Sequence, residues 1–299
     1  MDILTHAGVG LIAASPFLAN SPELALGLVA GSVLPDLDAL SRLVNKRAFL
    51  HAHQTWSHAL PIQLAFCLGL GAIAAWFGLR GAELGGGLSA GLTGHSLLDL
   101  SNTYGVTLWS PFSRRRFCLE WVFFIDAVVL AAISAGLLVV VPVLVRGQSV
   151  PLVYPAASLG FLGVYVLAKG ALRRRAGRAA PQARSLVPSA LVPWRFYGTA
   201  REQASLMIFR VNALTGTRAQ VAEVALFDAD YEDVLQTVAD FRLMRELSPD
   251  YHVVSTSTQS SHTRLLCRDM RTRNFGTRFG DLEVWLDSSR QIIRSQFHV

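Results

Sequence analysis

The sequence predicts a mainly α protein, a polytopic transmembrane helical bundle followed by a small α+β soluble domain. Three observations carry that expectation. Of 299 residues, 52% are hydrophobic and only 16% charged, whereas a soluble globular domain carries about a quarter charged residues. The apolar residues gather into long runs before about residue 170, while the remainder reads as soluble. Basic residues cluster at alternate ends of those runs, as cytoplasmic loops do.

The mean hydropathy is +0.38 and the isoelectric point about 9.6. The formal charge is +6. The basic residues flank apolar segments, so the positive-inside rule accounts for them and nucleic acid is not an expected partner. Cys67, Cys118 and Cys267 are too scattered for a disulfide framework or a thiolate metal site. The N-terminus MDILTHAGVG lacks a basic n-region and reads as mature protein rather than a cleaved signal.

The runs follow in order. Two short ones, Ile3 to Ala19 and Glu23 to Leu34, suit a re-entrant or hairpin pair. Ala59 to Leu79, Leu119 to Val145 and Val150 to Ala168 are long enough to span, a crossing needing about 20 apolar residues. Leu84 to Leu100 is rich in Gly and Ser, which lets helices approach closely in lipid and suggests a central position. Arg42, Lys46 and Arg47, then Arg114 to Arg116, then Arg173 to Arg178 mark the cytoplasmic ends.

Residues 1–172 are thus expected to be membrane-embedded, 173–189 to be a basic linker, and 190–299 to form a cytoplasmic α+β domain. In the last, ASLMIFRVNAL and AQVAEVALFDA have strand composition around the Thr215-Gly216-Thr217 turn. YEDVLQTVADFRLMREL has the apolar spacing of one amphipathic helix. HVVSTST, TRLLCRD, LEVWLD and QIIRSQF read as further strands, the last two joined at Ser288-Ser289. His252, His262 and His298 are scattered and read as structural.

The chemistry lies in the apolar half, where ionisable groups are costly and usually functional. GHSLLD places His95 and Asp99 one helical turn apart on one face, a spacing that suits a shared divalent ion. Pro35 ends the second run and leaves Asp36 and Asp38 close together, where a cation would relieve their repulsion. HAHQTWSH offers His51, His53 and His58, the last two being the useful pair, and imidazole suits zinc, iron or manganese. His6 sits one turn into the first run. Asp126 appears about two turns inside the fifth run and at that depth needs a partner. The structural alternative is a His–Asp network tying helices together. Ser113 to Arg116 reads as an orientation signal, with a lipid headgroup or substrate phosphate as its alternative ligand.

The order of motifs, Thr5 to Gly10 as THxxxG, then PDxD, HxxxSH (His53 to His58) and GHxxxD with an Asp in the following run, resembles the YdjM-like family of membrane-bound metal-dependent hydrolases. That family is distantly similar to the zinc-dependent phospholipase C and single-strand nuclease superfamily. The resemblance covers about residues 1–170. It implies His6, Asp36, His53, His58, His95 and Asp99 as metal ligands, with Asp126 as a further one and Asp38 beside them. One departure is Gln54, where the family pattern often has Arg.

The expectation is an inner (plasma) membrane, multi-pass hydrolase with its C-terminal domain in the cytoplasm. A divalent metal, zinc first with manganese or iron as alternatives and two or more ions possible, would activate water. Asp36 or Asp38 would orient or deprotonate that water. The expected partners are membrane lipids and a small phosphoester or lipid-like substrate. A metal transporter is one rival; a non-catalytic anchor or metal-binding protein whose C-terminal domain binds a partner is the other.

Overall fold

The computed structural model describes residues 2–43, 56–113, 115–259, 262–272, 278 and 280–298. The chain divides into two compact units, residues 1–170 with 190–193, and residues 171–189 with 194–299.

The first unit is helical. Helix α1 (Ile3–Ala14) starts where the Asp2 side chain accepts from the Thr5 amide, satisfying one of the donors a helix N-terminus leaves open. Helix α2 (Pro22–Val33) has its proline in the first turn, where no hydrogen bond is lost, and runs directly into a 3-10 segment, Leu34–Leu43. Helices α3 (Leu60–Trp76), α4 (Gly81–Leu100), α5 (Ala127–Val145) and α6 (Val153–Ala179) follow.

Helices α2 and α4 cross backbone to backbone. A Cβ on Gly27 would lie 2.5 Å from the Leu84 carbonyl oxygen, and one on Gly91 would lie 2.5 Å from that of Leu28. Gly27-xxx-Gly31 faces Gly87-xxx-Gly91, the small-xxx-small arrangement of tightly packed membrane helices. This contact sets the end of α4 against the segment that follows α2. Elsewhere Ile12 of α1 packs with Val129 and Ile133 of α5 and Leu162 of α6, and Cys67 and Ala74 of α3 pack with Leu84, Leu88 and Leu92 of α4.

Among the described residues, two helices are long and apolar enough to cross a membrane by length and composition, Ala127–Val145 and Val153–Ala179. Leu138 and Leu167 on them are 76% and 66% exposed. Such outward apolar surface suits lipid.

The expected polytopic helical bundle is therefore corrected. Helix α3 has 17 residues, short of the roughly 20 needed, because the helix stops at Trp76 and Phe77-Gly78 turns the chain. Helix α4 has 20 residues, but its six glycines together with Glu83, His95 and Asp99 dilute its hydropathy. The fifth run is not helical from its start: residues 119–126 are irregular and α5 begins at Ala127.

The second unit is built on sheets. Strands β1 (Ser185–Pro188), β2 (Arg195–Glu202), β3 (Ser205–Asn212) and β4 (Arg218–Ala225) form one antiparallel sheet in that order. Strands β5 (Tyr251–Gln259), β6 (His262–Asp269), β7 (Leu282–Asp287) and β8 (Ile292–Phe297) form another. The β3–β4 turn has Gly216 at φ +72°, a conformation glycine adopts without a Cβ penalty. Arg290 follows the Ser288-Ser289 turn at φ +62°, and the Asp287 carboxylate accepts from the amides of Ser289 and Gln291.

The single amphipathic helix expected over residues 231–247 is two helices, α7 (Asp228–Leu235) and α8 (Ala239–Leu247), broken at Thr237 and Val238. The break lets Leu235, Phe241 and Met244 all be buried. The stretch read as a linker is helical through Ala179 and strand from Ser185. Leu186, Phe196, Phe209 and Val211 pack there against Ala176 and Ala180 at the end of α6.

Candidate metal centre

Three helix ends and the 3-10 segment deliver the clustered His and Asp side chains of the first unit. His6 comes from the first turn of α1, Asp36 and Asp38 from the 3-10 segment after α2, His58 from just before α3, and His95 and Asp99 from the last turns of α4. His6, Asp36, His58, His95 and Asp99 are all buried. One ligand atom each from His6, Asp36, His95 and Asp99 lie within 4.8 Å of one another.

The distances define a tight cluster. His6 Nε2 is 3.1 Å from Asp99 Oδ1 and 4.0 Å from Asp36 Oδ2. His95 Nε2 is 3.6 Å from Asp36 Oδ1 and 3.5 Å from Asp99 Oδ2. His58 adjoins the four, its Nε2 lying 3.0 Å from Asp99 Oδ2 and 2.9 Å from His95 Nε2. The His6 and His95 rings stack with centroids 3.7 Å apart.

The hydrogen bonds around the cluster fix where the lone pairs point. His95 Nδ1 lies 2.8 Å from the Ser32 carbonyl, which only accepts, so Nδ1 carries the proton and the Nε2 lone pair faces the carboxylates. Ser57 Oγ donates to Asp38 Oδ2 over 2.6 Å and lies 2.9 Å from His58 Nδ1. With its proton on Asp38, the hydroxyl accepts from His58 Nδ1, so His58 Nε2 also turns a lone pair inward. Burial, the largest cause, lowers the pKa of His6 well below its ordinary value, so that ring is neutral at pH 7. Neutral imidazoles held by an outer hydrogen bond, beside carboxylates, are how divalent metals are ordinarily ligated.

This donor set, nitrogen and oxygen without sulfur, fits zinc, manganese or iron. His6 Nδ1 is buried without a hydrogen-bond partner, which leaves both nitrogens of that ring unused by donors outside the cluster.

The expected site residues separate as follows. His6, Asp36, His58, His95 and Asp99 are brought together, and Asp38 stands behind His58. His51, His53 and Gln54 lie outside the described residues, as does Arg114. Asp126 is elsewhere and is not inside a span. It caps α5, accepting from the amides of Val128 and Val129, and it also accepts from the Tyr165 hydroxyl at 2.9 Å and lies 3.9 Å from Lys169 Nζ. The partner its depth demanded is Tyr165 with Lys169, both on α6.

Three contributors escaped the sequence reading. Ser57 links Asp38 to His58, the Ser32 carbonyl orients His95, and Gln63 ties α3 to Ser96 on α4 at 3.0 Å. Ser57 alone had a signal, its place directly before His58.

A family model described as YdjM inner membrane protein matches residues 1–176. No curated protein and no solved structure matches the chain. The matched segment holds the buried His/Asp cluster, the candidate span Ala127–Val145 and most of the candidate span Val153–Ala179, and the chain belongs to the YdjM inner membrane protein family.

Proposed function

We propose that the protein is a membrane-embedded, metal-dependent hydrolase that cleaves a phosphoester or lipid-like substrate with water. The observation that supports this most is the convergence of His95 Nε2, His58 Nε2 and the Asp99 carboxylate within 3.5 Å of one another. Three electron-pair donors at that separation repel unless a cation lies among them.

A divalent ion held there, zinc foremost with manganese or iron as alternatives and a second ion possible, would lower the pKa of a water and stabilise developing negative charge. His6, Asp36, His95 and Asp99 would hold it, with His58 at its side. Asp36 would orient the attacking water and take its proton. Asp38, through Ser57, holds the His58 ring in the tautomer that keeps Nε2 available, and is a positioning residue. We place the protein as multi-pass in the inner membrane with its second unit in the cytoplasm, on the distribution of Arg and Lys.

A second reading puts a proton on His58 Nε2, making it a cation between Asp99 and His95 and the cluster a network that ties four helices together. The test is turnover by detergent-purified protein supplied with zinc or manganese, using bis(p-nitrophenyl) phosphate and dioctanoyl phosphatidic acid. Hydrolysis lost both with EDTA and in Asp99→Asn supports the hydrolase. Undiminished hydrolysis in Asp99→Asn contradicts the mechanism.

A further inference from the structure

The second unit carries a pocket of about 140 Å³ lined by Arg195, Arg210, Asn212, Thr217, Arg218 and Ala219. Strand pairing brings two of the arginines, Arg195 and Arg210, together. Arg195 opens β2 opposite Asn212, Arg210 lies on β3 opposite Tyr197 and Ala219, and Arg218 opens β4 opposite Val211. Directly opposite residues share a face, so Arg195 and Arg210 stand together with Asn212 on one face, while Arg218 shares the other face with Val211.

The lining has no Asp or Glu. Among the described residues no carboxylate pairs with any of the three guanidiniums; Arg218 lies over the Phe209 ring instead, 5.4 Å from its centroid. This contrasts with the far sheet, where Arg264, Arg268 and Arg278 each reach an acid. Like charges gathered without a counterion repel, so the cluster weakens the fold unless an anion joins it.

The other groups add donors. Asn212 Oδ1 accepts from the amides of Leu214 and Thr215, which occupies its oxygen with the turn and leaves its NH₂ available. The Thr217 hydroxyl stands beside that of Thr215 at 2.8 Å. The turn itself is held by Arg175, near the end of α6, which donates to the Leu214 carbonyl at 3.3 Å. Guanidinium forks match the spacing of phosphate oxygens and bind them with two parallel hydrogen bonds. The pocket has room for several waters and so for one tetrahedral oxyanion.

We propose that Arg195 and Arg210, with Asn212, form an anion site that takes the phosphate group of a small phosphorylated compound or of a lipid headgroup. The site is independent of the His/Asp cluster and does not rest on the hydrolase reading.

Calorimetric titration of full-length protein in nonionic detergent with EDTA present tests it, using inorganic phosphate and dioctanoyl phosphatidic acid as the probes. Binding of inorganic phosphate points to a free phosphorylated ligand, and binding of the lipid alone points to a headgroup; either supports the site. Arg195→Gln/Arg210→Gln should weaken that binding about tenfold or more, for the loss of two charged contacts. Arg201→Gln, an exposed arginine on β2 outside the pocket, should leave it unchanged, and so should Asp99→Asn. If the double variant misfolds by circular dichroism, Arg210→Gln alone carries the test, since that residue is exposed. Failure of both probes to bind, undiminished binding in the arginine variants, or equal weakening by Arg201→Gln would overturn the proposal.

Discussion

In the second unit Asp228, Asp269, Asp281 and Glu283 are buried, and each faces a guanidinium: Arg245 at 3.3 Å, Arg271 at 3.1 Å, Arg268 at 2.5 Å and Arg264 at 2.8 Å. In the first unit the buried Asp36 and Asp99 face the imidazoles of His6, His58 and His95. An arginine is always charged and neutralises its acid permanently. A buried imidazole is neutral unless protonated, so a carboxylate beside one keeps its negative charge and its affinity for a cation. The second pattern is what a metal centre needs and the first is what a stable fold needs. Asp126 completes the contrast, because within the first unit it meets Tyr165 and Lys169 and serves the start of α5.

Substitutions break this contrast at different points. The largest effect falls on Asp36. Asp36→Asn is expected to lower turnover roughly 10²–10⁴-fold, the usual contribution of a positioned base, whereas Asp126→Ala should leave bound metal intact. The latter loses a helix cap and about 1 kcal/mol of thermal stability. Rate assays beside metal analysis and melting curves check both; equal loss of activity in the two variants would erase the distinction.

Next comes Arg271→Ala. It leaves Asp269 buried without its guanidinium and should destabilise the second unit by about 3–5 kcal/mol, measured by denaturant unfolding, with metal content unchanged. A smaller cost, about 1–3 kcal/mol, is expected from Gly91→Leu, which forces α2 and α4 apart against Leu28 and Ser32. Because that crossing sets His95 against the Ser32 carbonyl, metal retention should fall together with stability. A variant that melts earlier yet keeps its full metal would disconnect the crossing from the centre.

The smallest effect is on pH dependence. Burial works against the charged form of Asp228, but hydrogen bonds from His252 and the Val253 amide and the charge of Arg245 outweigh it and hold the pKa below the ordinary value. A depressed carboxylate stabilises the fold above its unfolded pKa, about 3.9, and that contribution disappears as pH falls through the lower folded value. Asp228→Asn should therefore flatten the acid limb of thermal stability below about pH 4, while the region near neutrality keeps its slope. An unchanged acid limb would show that the pairing contributes nothing.

Much of the centre was legible in the sequence because short spacings constrain geometry. His95 and Asp99, four apart on a helix, had to share a face, and Pro35 had to end α2 and leave Asp36 beyond it. Strands with alternating apolar residues, such as TRLLCRD and LEVWLD, were found for the same reason. Failures came where composition and conformation part. The apolar run LEWVFFIDAVVLAA conceals a non-helical stretch, which moved Asp126 from inside a span to the cap just ahead of it. Continuous apolar periodicity around Thr237 conceals a helix break. Apolar content could not distinguish a helix long enough to span from the 17 residues of α3. The juxtaposition of Arg195 and Arg210 depends on strand register, which no local pattern of residues encodes.

Metal content decides the central claim most directly. Detergent-purified wild-type protein and His95→Ala/Asp99→Ala, both loaded with zinc and then desalted, are compared by plasma mass spectrometry with circular dichroism to confirm folding. At least one stoichiometric ion in the wild type, lost in a folded double variant, is the predicted result. No metal in the wild type, or equal metal in both, would contradict the account and leave the His/Asp cluster as a network that ties helices together.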